Sequence, residues 1–197
     1  MHLGVSALLD FYRENCDEAS LVLATIIATE GSTYRKPGAM MLISRDGRFE
    51  GLVSGGCLEA DILHHAAEVF ATGRPGQVSY DMRADDELVW NLGLGCDGVI
   101  RLMLQRLDRT SGFDILEQLI RSRAAHKACL LALATSGPEL AAGGRLAMVD
   151  SADISAGNDE LVGILHRHVG EWPNWRSREV VEESADGPRS ILLVQVP

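Results

Sequence analysis

Apolar residues recur along this chain in two rhythms, one helical and one alternating. Val5, Leu8, Leu9, Tyr12 and Cys16 fall at helical spacing and predict an amphipathic helix over 6–15. The run 20–28 (SLVLATIIA) is short, apolar and β-branched, as a buried strand is. Two more strand-like runs, 39–44 and 48–53, flank Asp46-Gly47, a dipeptide suited to the positive φ angles of a tight hairpin turn. Ser54-Gly55-Gly56 then opens a helix over 57–72. Its apolar stripe is Leu58, Ile62, Leu63, Ala66, Val69 and Phe70, and Gly73 lies where a C-terminal cap belongs. A strand follows at 77–82 and a short helical turn at 85–91. At 99–107, Ile100, Leu102 and Leu104 alternate with Arg101, Met103 and Gln105, which is strand period.

The second half repeats this order in weaker form. The stretch 115–120 parallels 8–13, and 130–135 (LLALAT) parallels 22–27 (VLATII). Ser155-Ala156-Gly157-Asn158 with Glu160 aligns with Ser54-Gly55-Gly56-Cys57 with Glu59, and a closing strand at 190–196 answers 99–107. Helices are expected at 113–125 and 158–169. The pattern predicts an α/β fold: a mixed β-sheet covered by helices, made of two degenerate repeated half-domains, 1–107 and 108–197, that share one core. The second copy has Asn158 in place of the thiol and no counterpart of the first copy's basic and glycine-rich loops. The chemistry is therefore expected in the first.

Composition narrows the partners. The 18 basic and 28 acidic side chains give a net charge of −10, which argues against a nucleic acid or an anionic membrane surface. With 46% hydrophobic and 23% charged residues in 197, the chain has the make-up of a globular protein with a sizeable core. No apolar run reaches the roughly 18 residues of a membrane span, and MHLGVSALLDF has none of the parts of a secretory leader. Cys16, Cys57, Cys96 and Cys129 are widely spaced and read as free thiols in a reducing compartment, so a cytoplasmic location is expected.

Three short segments can carry chemistry. Cys57, at a helix start behind Ser54, Gly55 and Gly56, lies where unpaired N–H groups favour a thiolate or an anionic ligand. The same residues also suit a tight turn with a small buried thiol. Glu59, in the first turn, suits the helix dipole. Gly93-Leu94-Gly95-Cys96-Asp97-Gly98 matches G-x-G-x-x-G, but a helical pattern precedes it and a strand follows. That is the reverse of a dinucleotide fingerprint, and a Rossmann site is rejected. A glycine loop offering Cys96 and Asp97 remains. Arg35 and Lys36, within the turn-rich segment from Gly31 and Ser32 to Gly38, can hold a phosphate or carboxylate. His64 and His65 are adjacent, and His166 and His168 are no better spaced for a metal pair on one helical face, so no protein-bound metal is expected. Read from the residues alone, the site is a glycine-rich pocket with two thiols that suits an anion.

Together, EGSTYRKPGAMMLISRDGRFEG (30–51), LVSGGCLEADI (52–62) and GLGCDGVIRLMLQ (93–105) resemble the XdhC/CoxI family of xanthine dehydrogenase accessory proteins. The resemblance is to the N-terminal part of such proteins, whose longer members continue into a Rossmann-like domain. It implies a chaperone or insertion factor for molybdenum hydroxylases such as xanthine dehydrogenase. Such a protein binds the molybdenum cofactor (molybdopterin) transiently during its sulfuration and delivers it to the apo molybdenum hydroxylase. A cysteine desulfurase is the implied sulfur donor. On this reading Gly31, Ser32, Arg35, Lys36 and Gly38, Ser54, Gly55, Gly56, Cys57 and Glu59, with Gly95, Cys96, Asp97 and Gly98, form the cofactor site. Either Cys57 or Cys96 would meet the metal or a transferred sulfur. Two alternatives stay open: a cysteine-dependent enzyme, such as a sulfurtransferase or an oxidoreductase on a small anion, and a protein-interaction module. A homodimer is compatible with each.

Overall fold

The computed structural model describes residues 3–83, 98–137, 146–151, 154–170, 177–184 and 187–196. The first half holds α1 (Leu3–Asn15), β1 (Ser20–Gly31), β2 (Met40–Ile43), β3 (Phe49–Glu50), α2 (Glu59–Thr72), β4 (Gly76–Asp81) and β5 (Gly98–Asp108). The second holds α3 (Phe113–Ala124), β6 (Cys129–Ala134), β7 (Leu146–Asp150), β8 (Ser155–Gly157), α4 (Asp159–His168), β9 (Ser177–Ser184) and β10 (Gly187–Val196). The expected α/β class holds. The strands lie in two five-stranded sheets, ordered β3-β2-β1-β5-β4 and β8-β7-β6-β10-β9. The expected mixed sheet takes the form of two sheets in which every strand pairing is antiparallel. Short hairpin connections favour that arrangement, since parallel neighbours need long crossovers.

Strand alternation builds the layers. On β1, Leu21 and Leu23 face a central core, while Val22, Ala24 and Ile26 face α2. On β6, Cys129, Leu131 and Leu133 face the same central core, while Leu130, Ala132 and Ala134 face α4. The inner faces of both sheets, together with α1 and α3, thus make one core between two outer layers.

The run 48–53, expected as a strand, stops at Glu50. Gly51 turns the chain at φ +92°, where a Cβ would come 2.3 Å from the Met40 carbonyl oxygen, so only glycine fits. The helix expected from residue 57 begins at Glu59, which leaves Cys57 and Leu58 ahead of it. The helical turn expected at 85–91 lies outside the described residues.

Gly157 repeats the conformation of Gly51. Its φ is +96°, and a Cβ there would come 2.4 Å from the Leu146 carbonyl oxygen. The ladders agree, for Leu42 pairs with Glu50 as Met148 pairs with Ala156. Gly157 therefore corresponds to Gly51 and not to Gly56, which corrects the alignment made from sequence. Between Gly51 and α2 the first half has the seven residues 52–58, where the second half has only Asn158 before α4. Asn158 caps its helix unaided, its side-chain oxygen accepting from the Leu161 N–H. The segment holding Ser54-Gly55-Gly56-Cys57 is an insertion particular to the first half.

Candidate functional site

Three connections meet at one end of the first sheet. Gly31 and Gly98 form the last rung of the β1–β5 ladder, from which the chain leaves β1 into the loop 32–39. β2 starts further back along β1, with Met40 opposite Thr25, and Gly51 returns the chain from β3 against Met40. The N-terminus of α2 is tied there too. Tyr80, paired with Ile100 near the end of β4, donates its hydroxyl to Asp61 Oδ2 in the first turn of α2 at 2.6 Å. The loops bearing the cations and the thiol, and the start of β5, thus lie at one end of the sheet.

The insertion is held by a buried pair. Glu59 is only 4% exposed, and both its oxygens are taken by Ser54: the backbone N–H donates to Oε1 at 3.1 Å and the hydroxyl to Oε2 at 2.5 Å. Ser54 Oγ in turn accepts the N–H groups of Gly56 at 3.1 Å and Leu58 at 3.2 Å, ahead of α2. The Cys57 thiol lies 3.8 Å from the same Oγ and is half-buried. Gly55 and Gly56 are exposed, Gly56 at φ +109°, and a Cβ at either would touch nothing within 4 Å. The turn is therefore open to solvent on the side of these two glycines, although the Gly56 N–H is already given to Ser54 Oγ.

In the loop 32–39, the Thr33 hydroxyl donates to the Arg35 carbonyl at 2.8 Å and accepts from Lys36 Nζ at 3.3 Å. The Gly38 N–H donates to the Ile26 carbonyl at 2.9 Å, and a Cβ on Gly38 would come 2.8 Å from Val194 Cγ1 of β10. The second half thus braces the cationic loop. Arg35 and Lys36 are exposed, and neither has a carboxylate partner among the described residues. In an acidic chain, such cations are available to an external anion.

Gly98 has a supporting role. It is buried, and a Cβ there would come 2.5 Å from the Glu30 oxygen and 2.8 Å from the Ser32 oxygen, so its glycine lets the loop close over β5. Gly31 and Ser32 are exposed at that crossing. Gly95, Cys96 and Asp97 lie outside the described residues. Sequence reasoning missed Arg83, which grips Asp81 through Nε at 3.0 Å and Nη2 at 2.9 Å and reaches Glu30 at 3.5 Å. Its side-chain hydrogen bonds hold the Asp81 carboxyl down at about 2. The Asp-x-Arg spacing was the available signal. Among the described residues, no group of three or more His, Cys, Asp or Glu is placed to hold a metal ion, and no helix is long and apolar enough to cross a membrane.

This arrangement of the cationic loop and the serine–glycine–cysteine insertion can be compared with known proteins. Residues 17–81 match the XdhC and CoxI family model. The match takes in β1, the cationic loop, the insertion, α2 and β4. A probable xanthine dehydrogenase subunit of Bacillus subtilis (strain 168) is 43% identical over 106 residues, covering 54% of this chain and 30% of the relative. The molybdenum cofactor insertion chaperone PaoD of Escherichia coli (strain K12) is 36% identical over 86 residues, covering 44% of this chain and 26% of the relative. The crystal structure of a xanthine dehydrogenase from Bacillus halodurans superposes with a TM-score of 0.66 at 28% identity, covering 98% of this chain and 52% of that one. This chain spans less than a third of the length of these two curated relatives.

Proposed function

We propose that this protein is a binding and insertion factor for the molybdenum cofactor, serving xanthine dehydrogenase-type molybdenum hydroxylases. The observation that carries this reading is the insertion 52–58, present in the first half alone, which exposes Gly55 and Gly56 beside the Cys57 thiol at the same sheet end as the cationic loop. The residues suit the cargo. The cofactor's phosphate is matched by Arg35 and Lys36. Its soft metal and sulfur are matched by the Cys57 thiol, with Cys96 the second candidate. Glu59 serves through Ser54 and is not a direct ligand. Likeness to a named insertion chaperone over 86 residues supports the same role. In this reading the cargo is held transiently in the cytoplasm, a cysteine desulfurase supplies sulfur, an apo molybdenum hydroxylase receives the product, and the carrier is a homodimer.

The test is to mix the purified protein with released molybdenum cofactor, separate by rapid gel filtration, and measure pterin and molybdenum in the protein peak. Stoichiometric retention by the wild type and loss in Cys57→Ala is the expected result. A well-folded wild type that retains neither would overturn the carrier reading. A second reading, a sulfur-transferring enzyme, draws on the Cys57–Ser54–Glu59 contacts. It predicts that the Cys57 thiolate takes the outer sulfur of a cysteine desulfurase persulfide, releasing the desulfurase thiolate, and passes it to an acceptor thiol more than once per protein.

A further inference from the structure

Tyr34 projects from the cationic loop with 65% of its surface exposed, although its neighbours in the loop are firmly held. An exposed aromatic ring forfeits the burial that would otherwise stabilise it. The Arg35 guanidinium carbon lies 5.5 Å from the ring centroid, so cation and ring are presented together. Lys36 adds a second positive charge within two residues of the ring. The loop thus presents an exposed ring with Arg35 over one of its faces and Lys36 two residues on, in a chain with a net charge of −10. A ring face pairs with a ring, and unpaired cations pair with phosphate.

We propose that Tyr34 is a stacking platform for the flat ring of a phosphorylated heteroaromatic ligand, with Arg35 and Lys36 receiving the phosphate. In the carrier reading, on which this inference rests, the ring is the pterin of the cargo. Tyr34 then positions the pterin while the metal end lies toward Cys57. The division of labour is specific. Arg35 and Lys36 select for the phosphate, whereas Tyr34 selects for the ring whether or not a phosphate is attached.

The probe is an oxidised, fluorescent pterin carrying a phosphorylated side chain, with the same pterin lacking phosphate as control. Binding is followed by fluorescence quenching and equilibrium dialysis on the full chain. Tyr34→Ala should weaken binding of both pterins about tenfold and remove the quenching, as expected for loss of one stacked ring. Tyr34→Phe should bind nearly as the wild type does but quench less, because its ring stacks equally well and is a much poorer electron donor. An Arg35→Ala, Lys36→Ala double variant should lose affinity for the phosphorylated pterin and keep it for the control. Circular dichroism of each variant separates lost binding from lost fold. Unchanged pterin affinity in Tyr34→Ala, with the double variant still impaired, would overturn the platform and leave the carrier reading standing. No binding of either pterin by folded wild type would overturn the platform, and loss of cofactor retention in the gel-filtration test would be needed to overturn the carrier reading too.

Discussion

Glu59 shows how much a single side chain's role depends on what surrounds it. Seen in sequence, a glutamate in the first helical turn is a dipole partner or a ligand for cargo. In the fold it is buried, and its two oxygens serve the Ser54 N–H and hydroxyl. Glu59→Ala would leave both donors buried without a partner, at a cost of about 1–3 kcal/mol. Urea denaturation should record that loss, and Cys57 should react faster with a thiol reagent as the insertion loosens. Unaltered stability would mean the pair does not hold the loop. Tyr12 gives a second prediction at this scale. Its pKa is pushed up from 10.0 to about 12, chiefly by burial and then by the neighbouring Glu117 carboxylate. The folded state thus favours the neutral phenol, and this contribution to stability is whole below pH 10 and lost as the pH climbs toward 12. Stability measured from pH 9 to 12 should therefore fall more steeply in the wild type than in Tyr12→Phe. Equal slopes would assign the alkaline loss to other groups. Neither role was legible in the sequence, because each partner is supplied by a chain segment whose path the spacing of residues does not fix.

At the scale of elements, sequence pattern was a good guide where one face of a segment is buried. α2, β5 and α3 lie within two residues of their expected bounds, because apolar stripes and alternation report burial directly. β3 fell short because Gly51 turns the chain before the apolar Leu52 and Val53, and Val53 then packs in the core beneath α2 instead of in a ladder. β9 was missed: its exposed Val181 and its glutamates lack the contrast between faces that marks a strand. The likeness between Ser155–Asn158 and Ser54–Cys57 misled the alignment of the halves by matching small polar residues, whereas backbone register matches Gly157 with Gly51. This register makes a strong prediction. Replacing the seven residues 52–58 by a single Asn, as the second half has it, together with Glu59→Ala because Ser54 leaves with the insertion, should leave Gly51 leading straight into a capped α2. The shortened protein should keep its circular dichroism spectrum and lose retention of the molybdenum cofactor. Retention by a folded shortened protein would place the cargo elsewhere.

At the scale of the whole molecule, the question is whether the first half can carry the site alone. Its sheet presents Leu21, Leu23, Leu42, Met103 and Leu107 to a core completed by Phe113, Leu116, Leu131, Met148 and Leu192 from the second half. Tyr12 packs edge-on against Phe113 with ring centroids 5.2 Å apart, and the Gln77 side chain donates to the Thr135 carbonyl across the same divide. Gly38, at the end of the cationic loop, lies against Val194. An isolated 1–107 fragment would therefore bare one entire sheet face and lose the brace of its cationic loop. It should bind a hydrophobic dye and aggregate, while the full chain unfolds in one cooperative transition. Within the full chain, Phe113→Ala should cost about 3–5 kcal/mol, since it empties a buried aromatic position between the halves. That loss should lower the midpoint of a single transition read both by secondary structure and by exposure of Cys129, which is buried in the same core. Two separate transitions would instead mean that each half has a core sufficient to itself. In that case the second half would be dispensable for folding the site, and its contact with Gly38 would be its one remaining contribution to the cationic loop.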